Sequence, residues 1–296
     1  MTKILIIKLG FSETLDPEVG RVSSLGDVLR TTPILYALKE KYFDSHITWL
    51  TDESASALLS YNQYIDRLLI WDSFVGFQLM SEKYDIIINL EKIGGLCAIT
   101  KSMNAWKKYG FRFDETTGNY NVYEGAEYAL DLCSKIDVKK KNEKYWQEIL
   151  IEMMGVKWDK QPYILGYKPK TKETHDVGFN FKVGTKFPKK AWGNEKWKEL
   201  EKHIVNDGKS FCYQEGLSNL YEYIDWINSN KTLISCDSLG LHIALALNKN
   251  VIVLFGPTNA TEVFFYQKSD HIKKETMEDI SAQEVFEIYK QLTSKG

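Results

Sequence analysis

The 296-residue sequence has few cysteines, and none of them lies in a CxxC pair. The four cysteines are scattered, in or beside apolar runs, at Cys97, Cys133, Cys212 and Cys236. Such positions are typical of reduced, buried thiols, so they argue against a disulfide framework and against a zinc site. A cytoplasmic location is the corresponding expectation.

The sequence also lacks an excess of positive charge. Its 38 Lys and Arg residues are balanced by 40 Asp and Glu residues, so a nucleic-acid partner is not expected. Apolar runs are short as well, and none approaches the roughly 18 residues that a membrane-spanning helix needs. The opening residues, MTKILIIKLG, contain too short an apolar run and no cleavage site for a signal peptide.

Short apolar runs alternate with helical segments along most of the chain. The runs of strand length cover residues 3–9, 46–50, 66–71, 84–90, 106–111, 175–181, 209–213, 232–236 and 251–255. Continuously apolar strands separated by helices are typical of a parallel sheet with both faces covered. We therefore predict an α/β protein with two doubly wound, Rossmann-like domains that face a cleft.

A polar stretch without periodicity, residues 157–172, predicts the domain boundary. The first domain is expected over residues 1–165 and the second over residues 166–275. Residues 276–296 are predicted to form an amphipathic terminal helix that packs back on the first domain.

The first strand is followed by a polar loop, residues 10–22, whose length is unusual in a compact domain. Ser23, Ser24 and Asp27 come next and open a helix that is predicted to run to Tyr42. Asp27 has two interpretations. Its carboxylate stabilises the helix dipole, which is the commoner use, or it deprotonates an incoming hydroxyl group.

Residues 232–260 predict a strand, a helix of small apolar residues and a second strand. Ligands of open α/β sheets bind beyond the carboxyl ends of strands, where free N–H groups and the helix dipole favour phosphate. That position is occupied by Asp237, Ser238, Gly240 and His242. A simple helix cap and a satisfied buried histidine are the alternative interpretations for single residues of this group.

Two further groups lie after predicted strands of the second half. Lys186, Lys189 and Lys190 lie in a loop that suits a diphosphate, although exposed surface charge is as frequent a use of such lysines. Glu215 follows a strand and suits ribose hydroxyls. With no DxD cluster and no His/Cys metal spacing, the pattern favours metal-independent displacement of a nucleoside diphosphate from a sugar carbon. A nucleotide sugar would then be a co-substrate, and no cofactor is expected.

Three segments resemble the bacterial heptosyltransferases, which are glycosyltransferase family nine. SSLGDVLRTTPILYALKEKY and CDSLGLHIALALNKNVIVLFGPT are similar to that family's N-terminal and C-terminal signatures, and KKAWGNEKWKEL is similar to its lysine–x–tryptophan loop. The resemblance implies a GT-B fold and an inverting, metal-independent transfer from a donor of the ADP-heptose type. It also implies a lipopolysaccharide or other surface-glycan acceptor and peripheral contact with the inner membrane surface.

The same resemblance implies roles for individual residues. Asp27 matches the general base, and Ser23 and Ser24 match residues near the sugar and phosphates. Lys190, directly before the Ala191-Trp192 pair, matches a phosphate-binding lysine, and Glu215 matches the ribose-binding acid. The donor-binding turn is matched by Asp237, Ser238 and His242.

The chain departs from the family pattern at two places. Residues 10–22 separate the first strand from the serine–aspartate motif, and Leu239 stands where the family usually has glycine, with Gly240 one residue later. We expect the first departure to shape a different acceptor site and the second to alter the pocket around the donor sugar. A sugar-nucleotide epimerase or hydrolase and a non-catalytic nucleotide-sugar-binding protein are the alternative functions on the same two-domain plan.

Overall fold

The computed structural model describes residues 1–13, 21–184, 187–214 and 217–294, with the backbone alone at residues 12, 13, 21 and 22. The chain divides into two compact units, Met1–Tyr167 and Lys168–Gly296. Within the described ranges, no helix is both long enough and apolar enough to cross a membrane.

The first unit is built on a six-stranded sheet with the order β5-β4-β1-β6-β7-β8. The strands of this unit are β1 (Thr2–Ile7), β2 (Phe11–Glu13), β3 (Arg21–Ser23), β4 (Ser45–Thr51), β5 (Arg67–Ile70), β6 (Ile86–Asn89), β7 (Lys107–Asp114) and β8 (Asn119–Val122). Neighbouring strands of the sheet are parallel except β7 and β8, and β2 and β3 form a separate antiparallel pair.

Among the described residues of this unit, five α-helices lie between strands and three more follow the last strand. They are α1 (Leu25–Thr31), α2 (Ile34–Lys41), α3 (Ser56–Leu59), α4 (Ser73–Ser81), α5 (Gly94–Ser102), α6 (Glu127–Ser134), α7 (Ile136–Lys140) and α8 (Trp146–Met153). The central strand β1 has four successive residues, Ile4 to Ile7, without any solvent exposure. Because side chains alternate between the two faces of a strand, this burial means that both faces of the sheet are covered.

The helix predicted to run unbroken to Tyr42 is wrong in its continuity, because α1 ends at Thr31 and α2 begins at Ile34. Pro33 lies between the two helices and has no N–H group with which to continue the hydrogen-bond ladder. The break leaves α1 as a short, separate helix that carries Asp27 in its first turn.

The two ends of the long loop after β1 lie next to each other. β2 and β3 pair with Phe11 opposite Ser23, and the Ser24 N–H group donates to the Gly10 carbonyl at 2.7 Å. The loop that was predicted over residues 10–22 is therefore closed at its base by two short strands, and residues 14–20 lie outside the described residues.

The second unit contains a five-stranded, fully parallel sheet with the order β10-β9-β11-β12-β13. Its strands are β9 (His175–Asn180), β10 (Phe211–Tyr213), β11 (Asn230–Cys236), β12 (Asn250–Phe255) and β13 (Ser269–Lys273), and its helices are α9 (Asn194–Asn206), α10 (Leu220–Asn228), α11 (Leu239–Ala246) and α12 (Ala282–Ser294). Val285 and Tyr289 of α12 are buried in the core of this unit with Trp192 and Trp197. The terminal helix is therefore part of the second unit's core, not a separate element.

Candidate active site

The strand–helix junction at Asp237 is the most developed polar site of the second unit. β11 ends at Cys236 and α11 begins at Leu239, so Asp237 lies at the carboxyl end of a central strand and before a helix N-terminus. Its Oδ2 atom accepts a hydrogen bond from Lys190 Nζ at 2.7 Å, and the two side chains are 19% and 23% exposed. The structure thus brings together two residues that were predicted from separate segments.

A buried tryptophan holds the segment that carries Lys190. Lys190 ends a single 3₁₀ turn, Pro188–Lys190, and Trp192 follows at 2% exposure with its Nε1 atom donating to the Ile280 carbonyl at 3.0 Å. The ammonium group also lies 5.1 Å from the Phe187 ring centroid. Because Trp192 anchors the backbone next to Lys190, the lysine has a limited range of positions beside Asp237.

The Asp237 carboxyl is ionised more readily than a free aspartate. Burial alone would raise its pKa, but the Lys190 ammonium, His242 and the Thr258 hydroxyl favour the charged form, and the net pKa is lowered. His242 itself is 6% exposed, on the first turns of α11. The junction therefore keeps a charged acid–lysine pair at a partly open position.

Ser238 occupies the N-cap position of α11, but its side chain makes no capping hydrogen bond. Its hydroxyl oxygen accepts from Asn180 Nδ2 at 2.8 Å. The simple cap interpretation of Asp237 and Ser238 therefore does not hold, because the aspartate binds Lys190 and the serine binds Asn180. Backbone N–H groups at such a helix start are suited to an anion.

A buried polar cluster fixes the turn from behind. Asn180 has no solvent exposure, and its side chain also donates to Ser235 Oγ at 2.7 Å and accepts from the Tyr223 hydroxyl at 2.8 Å. Gly240 passes against it, and a Cβ atom there would lie 2.4 Å from both Asn180 Nδ2 and Tyr223 Oη. The glycine that the sequence places one residue late is thus required at this position by packing.

Cys236 is adjacent to the site without being reactive. Burial raises the pKa of its thiol to about 12, so the neutral form persists near neutral pH. None of the four cysteines, all within the described ranges, forms a disulfide. Among the residues that the structure describes, no group of three or more His, Cys, Asp or Glu side chains is arranged to hold a metal ion.

Of the three other residues predicted in the second unit, the structure describes one. Lys189 is exposed to solvent. Lys186 and Glu215 lie outside the described residues, so their predicted phosphate and ribose contacts stay predictions.

In the first unit, Asp27 lies in the first turn of α1 with both carboxylate oxygens engaged. Ser24 Oγ donates to Oδ2 at 2.6 Å, and Arg30 Nε lies 2.8 Å from Oδ1. The Arg30 guanidinium also lies 5.1 Å from the Trp146 ring centroid. Ser23 is exposed at the end of β3. The structure therefore joins Asp27 to Ser24, and it adds Arg30 as a fixed cationic neighbour.

Sequence reasoning missed Arg30, Asn180 and Tyr223. Arg30 is three residues after Asp27, a spacing that brings two side chains together on a helix, so its signal was present. Asn180 ends β9 and follows the same strand-end rule that identified Asp237. Tyr223 could not be found in this way, because its hydroxyl reaches the site from the middle of α10.

Comparison with known proteins bears on the same junction. Residues 216–290 match the model of glycosyltransferase family 9 (heptosyltransferase), and this range includes Asp237, Ser238, Gly240 and His242. Over this segment the chain resembles glycosyltransferase family 9. The matched range does not reach Lys190 or Asp27.

The chain is also similar to a sequence relative and to solved structures that carry the heptosyltransferase name. The chain is 23% identical over 293 residues to lipopolysaccharide heptosyltransferase 1 of Campylobacter coli, covering 80% of this chain and 83% of that protein. It is similar in fold to E. coli heptosyltransferase WaaC with ADP, with a TM-score of 0.70 at 15% identity over 98% of this chain and 100% of the other. For E. coli ADP-heptose lps heptosyltransferase II the TM-score is 0.72 at 16% identity, covering 100% and 99%. The fold is thus of the GT-B type, with two Rossmann-like domains.

Proposed function

We propose that this protein is a glycosyltransferase of family 9 and that it transfers a heptose-like sugar from an ADP-linked donor to a hydroxyl group of lipopolysaccharide or another surface glycan. The observation that carries the proposal is the Lys190–Asp237 pair at the start of α11, with Nζ and Oδ2 2.7 Å apart. A lysine beside a helix N-terminus is suited to a diphosphate. Of the similar structures, one contains ADP and another is an ADP-heptose heptosyltransferase, which supports ADP and ADP-heptose as the first ligands to test.

In the proposed reaction the second unit binds the donor. The diphosphate lies against the first N–H groups of α11, and Lys190 exchanges part of its contact with Asp237 for a phosphate oxygen. As the bond between the anomeric carbon and the diphosphate breaks, negative charge develops on the leaving group, and the helix dipole and the ammonium stabilise it. Glu215 is retained as the proposed acceptor of hydrogen bonds from the ribose hydroxyls.

The first unit supplies the general base in this proposal. Asp27 accepts the proton of the acceptor hydroxyl while that oxygen forms its bond to the anomeric carbon. One displacement of this kind inverts the configuration at the anomeric carbon and releases the nucleoside diphosphate. Ser24 and Arg30 hold the carboxylate in a defined orientation, since one contacts each oxygen.

The acceptor in this proposal is a glycolipid or glycan, and a glycolipid would bring the enzyme to the cytoplasmic surface of the inner membrane. Leu239 places a larger side chain beside the donor turn than the glycine usual in the family. The sugar is therefore described as heptose-like, and the donor panel must include other sugars.

The test uses the full-length chain with ADP-, GDP-, UDP- and CDP-sugars in a thermal-shift assay, because a ligand that binds only the folded state raises Tm. We expect ADP-heptose to raise Tm the most. The donor that binds is then incubated with and without lipopolysaccharide that lacks heptose. Sugar-bearing product supports the proposal, free sugar or an epimer without acceptor supports the hydrolase or epimerase, and binding without turnover supports a binding protein.

A further inference from the structure

A buried ion pair lies in the first unit, at the carboxyl ends of β1 and β6. Lys8 and Glu91 are 4% and 2% exposed, and Lys8 Nζ lies 3.0 Å from Glu91 Oε1. Removing two charges from water is costly, so a pair at this depth calls for further hydrogen bonds that compensate it. Lys8 Nζ makes one of these, to the Phe11 carbonyl at 3.2 Å.

The Glu91 carboxylate is bound mainly to backbone. The same Oε1 atom accepts from the N–H groups of Leu9 at 2.7 Å and Gly10 at 3.1 Å. Glu91 is itself held by Asn89, a residue without solvent exposure whose Oδ1 atom accepts from the Glu91 N–H at 3.2 Å. One carboxylate oxygen therefore fixes the path of the chain as it leaves β1.

That path leads directly to the proposed base. Gly10, at φ +101°, turns the chain away from the strand, and its carbonyl accepts from the Ser24 N–H at 2.7 Å. Ser24 in turn donates from Oγ to Asp27 Oδ2 at 2.6 Å and accepts from the Asp27 N–H at 3.0 Å. A continuous series of hydrogen bonds thus joins Glu91 to Asp27 across the base of the long loop.

We infer that Glu91 is a positioning residue for the transfer reaction, acting on Asp27 through Gly10 and Ser24. The inference rests on the proposed function of Asp27. A general base is effective only when the reacting atoms lie in a near-attack arrangement, and a displacement of about 1 Å can cost about 100-fold in rate. The long loop separates β1 from α1 in sequence, and Glu91 restores the fixed connection that a short link would give.

Two double variants separate this role from simple stabilisation of the fold. Both remove the buried charges together, because leaving one charge unpaired would be strongly destabilising. Lys8→Met with Glu91→Gln keeps a carbonyl oxygen that can accept from Leu9 and Gly10. Lys8→Met with Glu91→Met has similar volume but offers no acceptor.

The full-length variants are assayed with ADP-heptose and lipopolysaccharide that lacks heptose, with ADP release as the readout. We expect the Gln variant to keep kcat within about 3-fold of wild type and the Met variant to lose about 10- to 100-fold in kcat, at an unchanged Kd for ADP. Hydrogen exchange of the peptide over residues 8–27 should increase in the Met variant only. Equal kcat and equal exchange in the two double variants would overturn the inference.

Two further measurements keep the inference testable on its own. Ser24→Ala removes the side-chain bond of the series, from Oγ to the Asp27 carboxylate, while the backbone bonds and the buried pair stay intact. It therefore tests whether the series orients the carboxylate even if the Met variant does not fold. An unchanged kcat for Ser24→Ala overturns the inference. If wild type shows no transfer, the proposed function fails, and if Asp27→Asn retains transfer, the proposed base role fails. In either case the hydrogen-exchange comparison still decides whether Glu91 fixes the start of α1.

Discussion

The carboxylates of Asp237 and Asp27 are held in different ways. Asp237 is part of a contiguous strand–helix junction, and its cation, Lys190, comes from a separate loop that Trp192 anchors. Asp27 contacts Ser24 and Arg30, each three residues away in the chain. Ser24 is linked in turn through Gly10 to Glu91, which follows the neighbouring strand. The strand–helix junction of Asp237 can thus be read from one continuous segment, although its cation cannot. The direct contacts of Asp27, the proposed base, are local, and the link that ties them to the sheet is long-range.

The largest effect is expected for Asp27, the proposed general base in the first unit. Asp27→Asn removes the proton acceptor and keeps the shape of the side chain, so we expect kcat for sugar transfer to fall by about 10²- to 10⁴-fold. The Kd for ADP should stay within about 2-fold, since the donor is assigned to the second unit. ADP release and calorimetric titration measure the two quantities. Full transfer activity would remove Asp27 from the base role.

Lys190→Ala tests the second unit in the same way. Loss of a charged hydrogen bond to phosphate, worth about 1.5–3 kcal/mol, should weaken ADP binding by about 10- to 100-fold. The matched control is Lys198→Ala, which removes an exposed lysine from the neighbouring helix α9. Calorimetry with ADP gives the comparison, and equal Kd values for the two variants would argue against a phosphate contact at Lys190.

Gly240→Ala tests how tightly the turn at the start of α11 packs against Asn180. The added Cβ atom would lie 2.4 Å from Asn180 Nδ2, so we expect a loss of about 1–3 kcal/mol in the free energy of unfolding. Gly95→Ala is the control in the first unit, because its Cβ atom would meet nothing within 4 Å. Urea denaturation of both variants measures the difference. A Gly240→Ala variant as stable as Gly95→Ala would show that the turn relaxes freely.

The smallest expected effect is a change in the stability contribution of Asp237 at low pH. The pKa of Asp237 is lowered in the folded protein, so the charged pair stabilises the fold above the unfolded-state pKa of about 3.9 and this contribution is lost as the pH falls through the folded pKa. The Tm difference between wild type and Asp237→Asn should therefore be constant from pH 7 to 5 and shrink only below about pH 4. A difference that already shrinks near pH 6 would indicate that another group is responsible.

Much of the architecture could be predicted because the central strands are continuously apolar, which identifies the two parallel sheets. The elements that were missed carry weak signals. β13 is a polar edge strand with one buried residue, Ile272, and α5 begins with two glycines, which are poor helix formers. The break between α1 and α2 has a strong signal in Pro33, which the prediction of one continuous helix overlooked.

The residues of the candidate site also differ in how far they could be predicted. Asp237, Ser238, Gly240 and His242 follow one another within one strand–helix junction, so their proximity was predictable. Glu91 comes after β6 and satisfies the strand-end rule, but its partner is the backbone of Leu9 and Gly10, more than eighty positions earlier in the chain. A contact of that kind depends on which strands are neighbours, and strand order was not available from the sequence.

Sugar transfer with purified substrates tests the proposed function most directly. Full-length protein, ADP-heptose and heptose-free lipopolysaccharide should yield equal amounts of ADP and heptosylated glycan, and NMR of the product should show an inverted anomeric centre. ADP release without a glycan product, or a product with retained configuration, would contradict a single displacement assisted by Asp27.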